Sequence, residues 1–189
     1  RSATLSVYVI PFVILPIIIK TFYDDRIAIF VHLLTILMIG FWAPNGFEFV
    51  FMNFIAGVVA IFTLRNVYKR GILFVTAVFT LLSYSVTYTG MGLLQEGSFR
   101  TLDWYNYVWF LGNSILVLTS YPLIYIFERT FGFISDATLV ELSDTNQPLL
   151  RKLAEKAPGT FQHSLQVANL AEEAARQTGG NTLLIRTGA

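Results

Sequence analysis

His163 is the residue of this 189-residue chain best placed to do chemistry. It lies in the run Ala157-Pro158-Gly159-Thr160-Phe161-Gln162-His163-Ser164-Leu165-Gln166-Val167-Ala168-Asn169-Leu170-Ala171-Glu172, one of few polar-rich stretches in a very apolar sequence. An imidazole can ligate a metal or move a proton near neutral pH. Pro158 and Gly159 interrupt whatever precedes them, and Thr160 suits an N-cap. From there Phe161, Val167, Leu170, Ala171 and Ala174 recur at helical spacing, with Glu172, Glu173 and Arg176 on the other side. His163 stands four residues before Val167 and seven before Leu170, so the periodicity predicts it on the buried stripe. A histidine there needs an acceptor or a metal. On these residues alone a hydrogen-bonded core histidine is the commoner reading, because one imidazole does not make a metal site.

The wording around it carries more. The run LSDTNQPLLRKLAEKAPGTFQHSLQVANLAEEAA, residues 142–175, resembles the start of the cytoplasmic HD phosphohydrolase domain in the seven-transmembrane HD receptors. Those bacterial membrane proteins are known as cyclic di-AMP phosphodiesterases. The resemblance implies a two-metal centre built on a consecutive His-Asp pair, an earlier histidine and later ones. His163 matches the earlier ligand, in a Thr-x-x-His-Ser setting followed by Val167 and Leu170-Ala171. The implied cofactor is a pair of divalent metals, Mn or Fe, and the implied substrate a cyclic dinucleotide, cyclic di-AMP, opened to its linear form. Two metals ~3.5–4 Å apart clamp a phosphodiester and lower the pKa of a bridging water. Gln162 departs from the pattern, since many members carry a second histidine there, and any substrate contact made by that histidine is in doubt.

No His and no Asp follows His163. A catalytic metal needs about three protein ligands, so no catalytic site is complete here and the chain by itself is expected to be inactive. It opens on Arg1 and closes just after a helix begins, as expected of a piece of a longer protein whose His-Asp pair lies shortly beyond Ala189.

The elements that must position His163 are read from composition and charge. Hydrophobic residues make up 54% of the chain and charged ones 13%, with a mean hydropathy of +0.60; soluble domains carry about 25% charged residues. The balance predicts a membrane protein. A net charge of +1 without a basic cluster gives nucleic acid no purchase, and the lack of cysteine excludes disulfides and thiolate metal sites. Residues 1–127 hold 12 of the 25 charges and residues 128–189 hold 13 in half the length, which separates a membrane part from a water-facing part.

We expect an all-α fold: a polytopic helical membrane bundle, short amphipathic cytoplasmic helices, then the first helices of a truncated HD domain. Five apolar runs, uncharged but for Glu48 and Arg65 at the ends of the third, are long enough to cross a bilayer: residues 2–19, 27–47, 48–65, 71–95 and 104–127. Together they form a transmembrane domain over 1–130. The first run holds Pro11 and Pro16 and is expected to kink. Arg65, Lys69 and Arg70 form the most basic loop, which the positive-inside rule places in the cytoplasm. Alternation then puts 20–26 inside, Asn45 and 96–103 outside, and everything after Glu128 inside. The localisation is thus the bacterial cytoplasmic membrane, multi-pass, with a cytoplasmic C-terminus.

Residues 131–157 read as two coupling helices. Ser135 or Asp136 caps one through Leu142, and Pro148 opens the other; lying at the headgroup boundary is the alternative for both. Residues 158–189 are the beginning of the HD domain, ended by Gly179 and Gly180 and restarted by Asn181. In a truncated domain the apolar face of Val167, Leu170 and Ala174 is expected to be left exposed. His32, Asn53, Asn113 and Ser114 lie within apolar runs, where polar residues bridge helices more often than they form sites. His32 alternatively senses pH or meets a lipid headgroup.

The expected partners are the lipid bilayer, a cyclic dinucleotide in the parent protein and, as an assembly left open, a homodimer. The alternative function is a non-enzymatic membrane bundle, a transporter subunit or structural anchor with an amphipathic tail.

Overall fold

The computed structural model describes residues 7–64, 71–97 and 102–189. Residues 1–6 of the first apolar run, the basic loop 65–70 and residues 98–101 of the loop expected outside fall beyond the described residues. Every regular element among those described is a helix. The chain divides into two compact units, Arg1–Phe133 and Ile134–Ala189, and it is a helical membrane protein.

The first unit begins with a 3₁₀ turn at Val7–Val9 and continues with α1 Ile14–Phe22, α2 Asp25–Gly40 and α3 Gly46–Thr63. It is completed by α4 Ile72–Glu96, α5 Tyr105–Val117 and α6 Ser120–Phe131. Among the described residues three stretches are long and apolar enough to cross a membrane: Gly46–Thr63, Ile72–Gln95 and Tyr105–Phe131. The first apolar run is interrupted near Pro11, so its α-helix starts only at Ile14. Its second proline, Pro16, sits in the opening turn, where a missing N–H costs nothing.

The fifth run is also interrupted. Leu118 N and Thr119 N bond back to Ile115 O and Leu116 O, three residues earlier, so the helix tightens there before α6 resumes. Pro122 explains the position: it has no N–H for Leu118 O, and its ring crowds that carbonyl. The hydroxyls of Thr119 and Ser120 bond to Leu116 O and Val117 O, both at 2.6 Å.

α3 lies at the centre and packs on α1, α2 and α4. Its buried positions, Phe49, Met52, Asn53, Ala56, Gly57, Ala60 and Ile61, follow a helical stripe, and the small residues among them admit close neighbours. The α2–α3 turn places Asn45 in the left-handed region at φ 55°, and Gly46 there lies against the Gly40 carbonyl, where a Cβ would not fit. At the other end of α3, Lys20 Nζ donates to Ile61 O at 2.7 Å and pairs with Asp25 at 2.8 Å. A cation on a C-terminal carbonyl is favourable in sign.

Hydroxyls along α4 turn inward on their own helix. Thr76, Thr80, Ser83, Ser85 and Thr89 each donate to the carbonyl four residues back, at 2.7–2.9 Å. Thr21, Thr35 and Thr63 do the same on their own helices and the buried Ser114 Oγ has no hydrogen-bond partner among the described residues, while other polar residues reach across helices. His32 Nε2 bonds to Asn53 O at 2.9 Å, Tyr84 donates to Asn53 Oδ1 at 2.7 Å, and Asn113 Nδ2 donates to Tyr8 O and Ile10 O. His32 is 1% exposed, so the headgroup reading gives way to a helix bridge. Asn113→Leu is expected to cost about 2 kcal/mol or more, because it strands two carbonyls away from water. Thermal unfolding of the purified protein in detergent measures it.

The second unit contains α7 Asp136–Leu142, α8 Pro148–Lys156, α9 Pro158–Thr178 and α10 Thr182–Gly188. Ser135 Oγ accepts from Thr138 N and Asn181 Oδ1 from Leu184 N, as N-caps do. Gly179, at φ +74°, ends α9 in the left-handed conformation. α9 packs on α8 and α10, and α10 packs on α7.

Candidate functional site

The helix bearing His163 starts three residues earlier than its wording suggests. Pro158 occupies its first turn and Ala157 is the N-cap, so Thr160 lies inside the helix; proline at the first position, with its φ preset, wins over the hydroxyl. Five residues on, His163 is exposed, and the expectation of a buried stripe through it is corrected. The face of α9 that packs is a different one. Ala168 and Ala175 are buried, while Ser164, Leu165, Ala171 and Glu172 are partly covered.

Two apolar faces compete on this helix, and the one with more alanine lets its neighbours approach. Arg186 of α10 holds it there, bonding to Asn169 Oδ1 at 3.1 Å and pairing with Glu172. Thr187 Oγ1 donates to Leu139 O at 3.2 Å, tying α10 to α7. His163, Val167, Leu170 and Ala174 therefore form an uncovered stripe, with Leu170 72% exposed.

His163 makes no hydrogen bond among the described residues, so both ring nitrogens are open to a ligand. Among those residues no three His, Cys, Asp or Glu side chains come together as a metal site. The donor set present does not fit a two-metal centre, and no catalytic step is derived through one. Gln162 is exposed beside His163.

A second group of polar side chains gathers in the first unit. Tyr8, Asn45, Glu48, Tyr88, Gln95 and Asn106 line a polar cavity of about 240 Å³. Spacing gives no hint of it, because its members come from four segments of the chain: Tyr8, Asn45 with Glu48, Tyr88 with Gln95, and Asn106.

Residues 2–135 match the family model described as the 7TM receptor with intracellular HD hydrolase. The chain belongs to that family. The match covers the membrane unit and stops where the second unit begins. Relatives extend the likeness beyond the membrane unit: the chain is 31% identical over 189 residues to the cyclic-di-AMP phosphodiesterase PgpH of Listeria monocytogenes, covering 96% of this chain and 26% of that protein. PgpH of Bacillus subtilis is 31% identical over 193 residues, with 96% and 27% covered. An uncharacterized protein of Synechocystis is 57% identical over 61 residues, 32% of this chain and 8% of the other. The chain thus spans about a quarter of the length of the two phosphodiesterases. No solved structure matches.

Proposed function

We propose that this chain is the membrane region and the opening of the HD domain of a metal-dependent phosphodiesterase that hydrolyses cyclic di-AMP at the cytoplasmic face. The observation that carries this reading is the alignment with two cyclic-di-AMP phosphodiesterases across 96% of the chain, His163 helix included. In this reading residues 1–130 cross the cytoplasmic membrane five times, at 2–19, 27–47, 48–65, 71–95 and 104–127. Residues 131–157 couple the bundle to the HD domain, which opens at 158. Loops rich in Lys and Arg face inward and the C-terminus is cytoplasmic. His163 supplies one imidazole to a Mn or Fe pair whose other ligands come from outside this chain. One imidazole does not hold a catalytic metal, so the chain alone is inactive.

The test is hydrolysis of cyclic di-AMP to its linear product by a protein of the relatives' length, in membranes with Mn²⁺. Turnover that needs the metal is expected, and none from residues 1–189 alone. No turnover of any cyclic dinucleotide by the longer protein would leave a non-enzymatic membrane bundle.

A further inference from the structure

The polar cavity of the first unit lies between the start of α3, the last turns of α4 and the start of α5, beside the 3₁₀ turn at Val7–Val9. Among the described residues of its lining, Glu48 contributes the only formal charge. Tyr8 donates to Glu48 Oε1 at 2.9 Å, and Asn106 Nδ2 donates to the Tyr88 hydroxyl at 2.8 Å, which turns the Tyr88 O–H toward other acceptors. Glu48 is half-buried, and among the described residues no cationic side chain pairs with it.

A carboxylate held at the end of an apolar bundle attracts a counter-cation more strongly than one in open water does. The remaining lining offers amide and hydroxyl oxygens together with the aromatic side chains of Tyr8 and Tyr88, a residue type that attracts organic cations. An anionic ligand would meet Glu48 with no Lys, Arg or His beside it. Calcium or magnesium needs more oxygen charge than one carboxylate supplies. The volume, about 240 Å³, lies below the range of ~300–1,000 Å³ for drug-sized ligands, so the occupant is small.

We propose that this cavity binds a small organic ammonium group, held on the Glu48 carboxylate and the hydroxyl and amide oxygens around it. The group belongs to a free amine or to the headgroup of an aminolipid, since both present the same charge and donors. The side of the membrane from which it enters rests on the orientation proposed above and is the outer one; the binding itself does not depend on that orientation or on any hydrolase activity.

The purified chain in detergent, titrated with ethanolamine and separately with ethylene glycol, tests it by thermal shift and by saturation transfer to ligand protons. Saturable binding of ethanolamine is expected, with no matching response to the neutral diol. Glu48→Gln keeps an acceptor for Tyr8 and is expected to weaken the binding at least 10-fold. Gln95→Leu, at an exposed position on the rim, is expected to weaken it several-fold without moving the melting temperature of the unliganded protein. Equal responses to ethanolamine and ethylene glycol overturn the proposal, as does ethanolamine binding unchanged in both variants. Nanodiscs assign the source. Ethanolamine binding blocked in phosphatidylethanolamine but present in phosphatidylglycerol means the lipid headgroup is the ligand; binding in both means a free amine is.

Discussion

His163→Ala, in a protein of the relatives' length, is expected to lower cyclic di-AMP hydrolysis on the order of 100-fold or more while leaving the folded protein unchanged. The size follows from ligand chemistry, since even outer-shell partners of a metal are worth about 10–100-fold. The sparing of the fold follows from exposure. The His163 side chain is exposed and unbonded among the described residues, and such surface truncations cost within about 0.5 kcal/mol. A core histidine on the stripe that the periodicity suggests would behave the other way, with stability falling alongside activity. Metal content, melting temperature and hydrolysis measured on the same preparation separate the two. Metal and turnover lost together at constant stability make His163 a ligand; full turnover with full metal content removes it from the site.

Gly57→Ala is the second large effect, and it falls on stability. A Cβ on Gly57 would run into the imidazole of His32, touching Nε2, Cδ2 and Cε1. Neither group has room to yield, since His32 is 1% exposed. Overpacking of that kind costs roughly 1–3 kcal/mol. Displacing the ring also breaks its bond to Asn53 O, 2.9 Å long, which adds roughly 1–3 kcal/mol for buried groups left unpaired. The variant is expected to lose roughly 2–5 kcal/mol in detergent unfolding. His32→Ala removes the obstacle, so Gly57→Ala should cost far less in that background, with a coupling of about 1 kcal/mol or more in the double-mutant cycle. A Gly57→Ala protein that melts like the wild type would show that the ring moves aside freely.

Much of this architecture is readable from the chain because its signals are local. Ser135 and Asn181 are short polar residues before helical runs, and each caps as such residues do. Gly132 and Gly179 end helices at positive φ, where other residues are strained. The helix bridges made by His32, Asn53 and Asn113 follow from polarity inside apolar runs. What escapes is whatever depends on neighbours. α9 carries two apolar faces, and periodicity finds both without saying which one α8 and α10 cover, so His163 was assigned to the wrong side. The interruption before Pro122 lies inside a run of uniform hydropathy. Tyr8, Glu48, Tyr88 and Asn106 meet only because four segments converge, and no spacing rule anticipates them.

The hydroxyls of α4 bear on how the protein enters the bilayer during synthesis. Each of these five Ser and Thr hydroxyls already has its acceptor within the helix, so they bring little unmet polarity into lipid. A hydropathy scale charges those hydroxyls as though they were bare, and so understates the affinity of α4 for hydrocarbon. α2 differs: the imidazole of His32 finds its acceptor only on α3, and in lipid an unpaired group costs several kcal/mol. α2 and α3, joined by the tight turn at Asn45 and Gly46, are therefore expected to partition as a hairpin, and Tyr84, whose acceptor is Asn53 on α3, joins α4 to it.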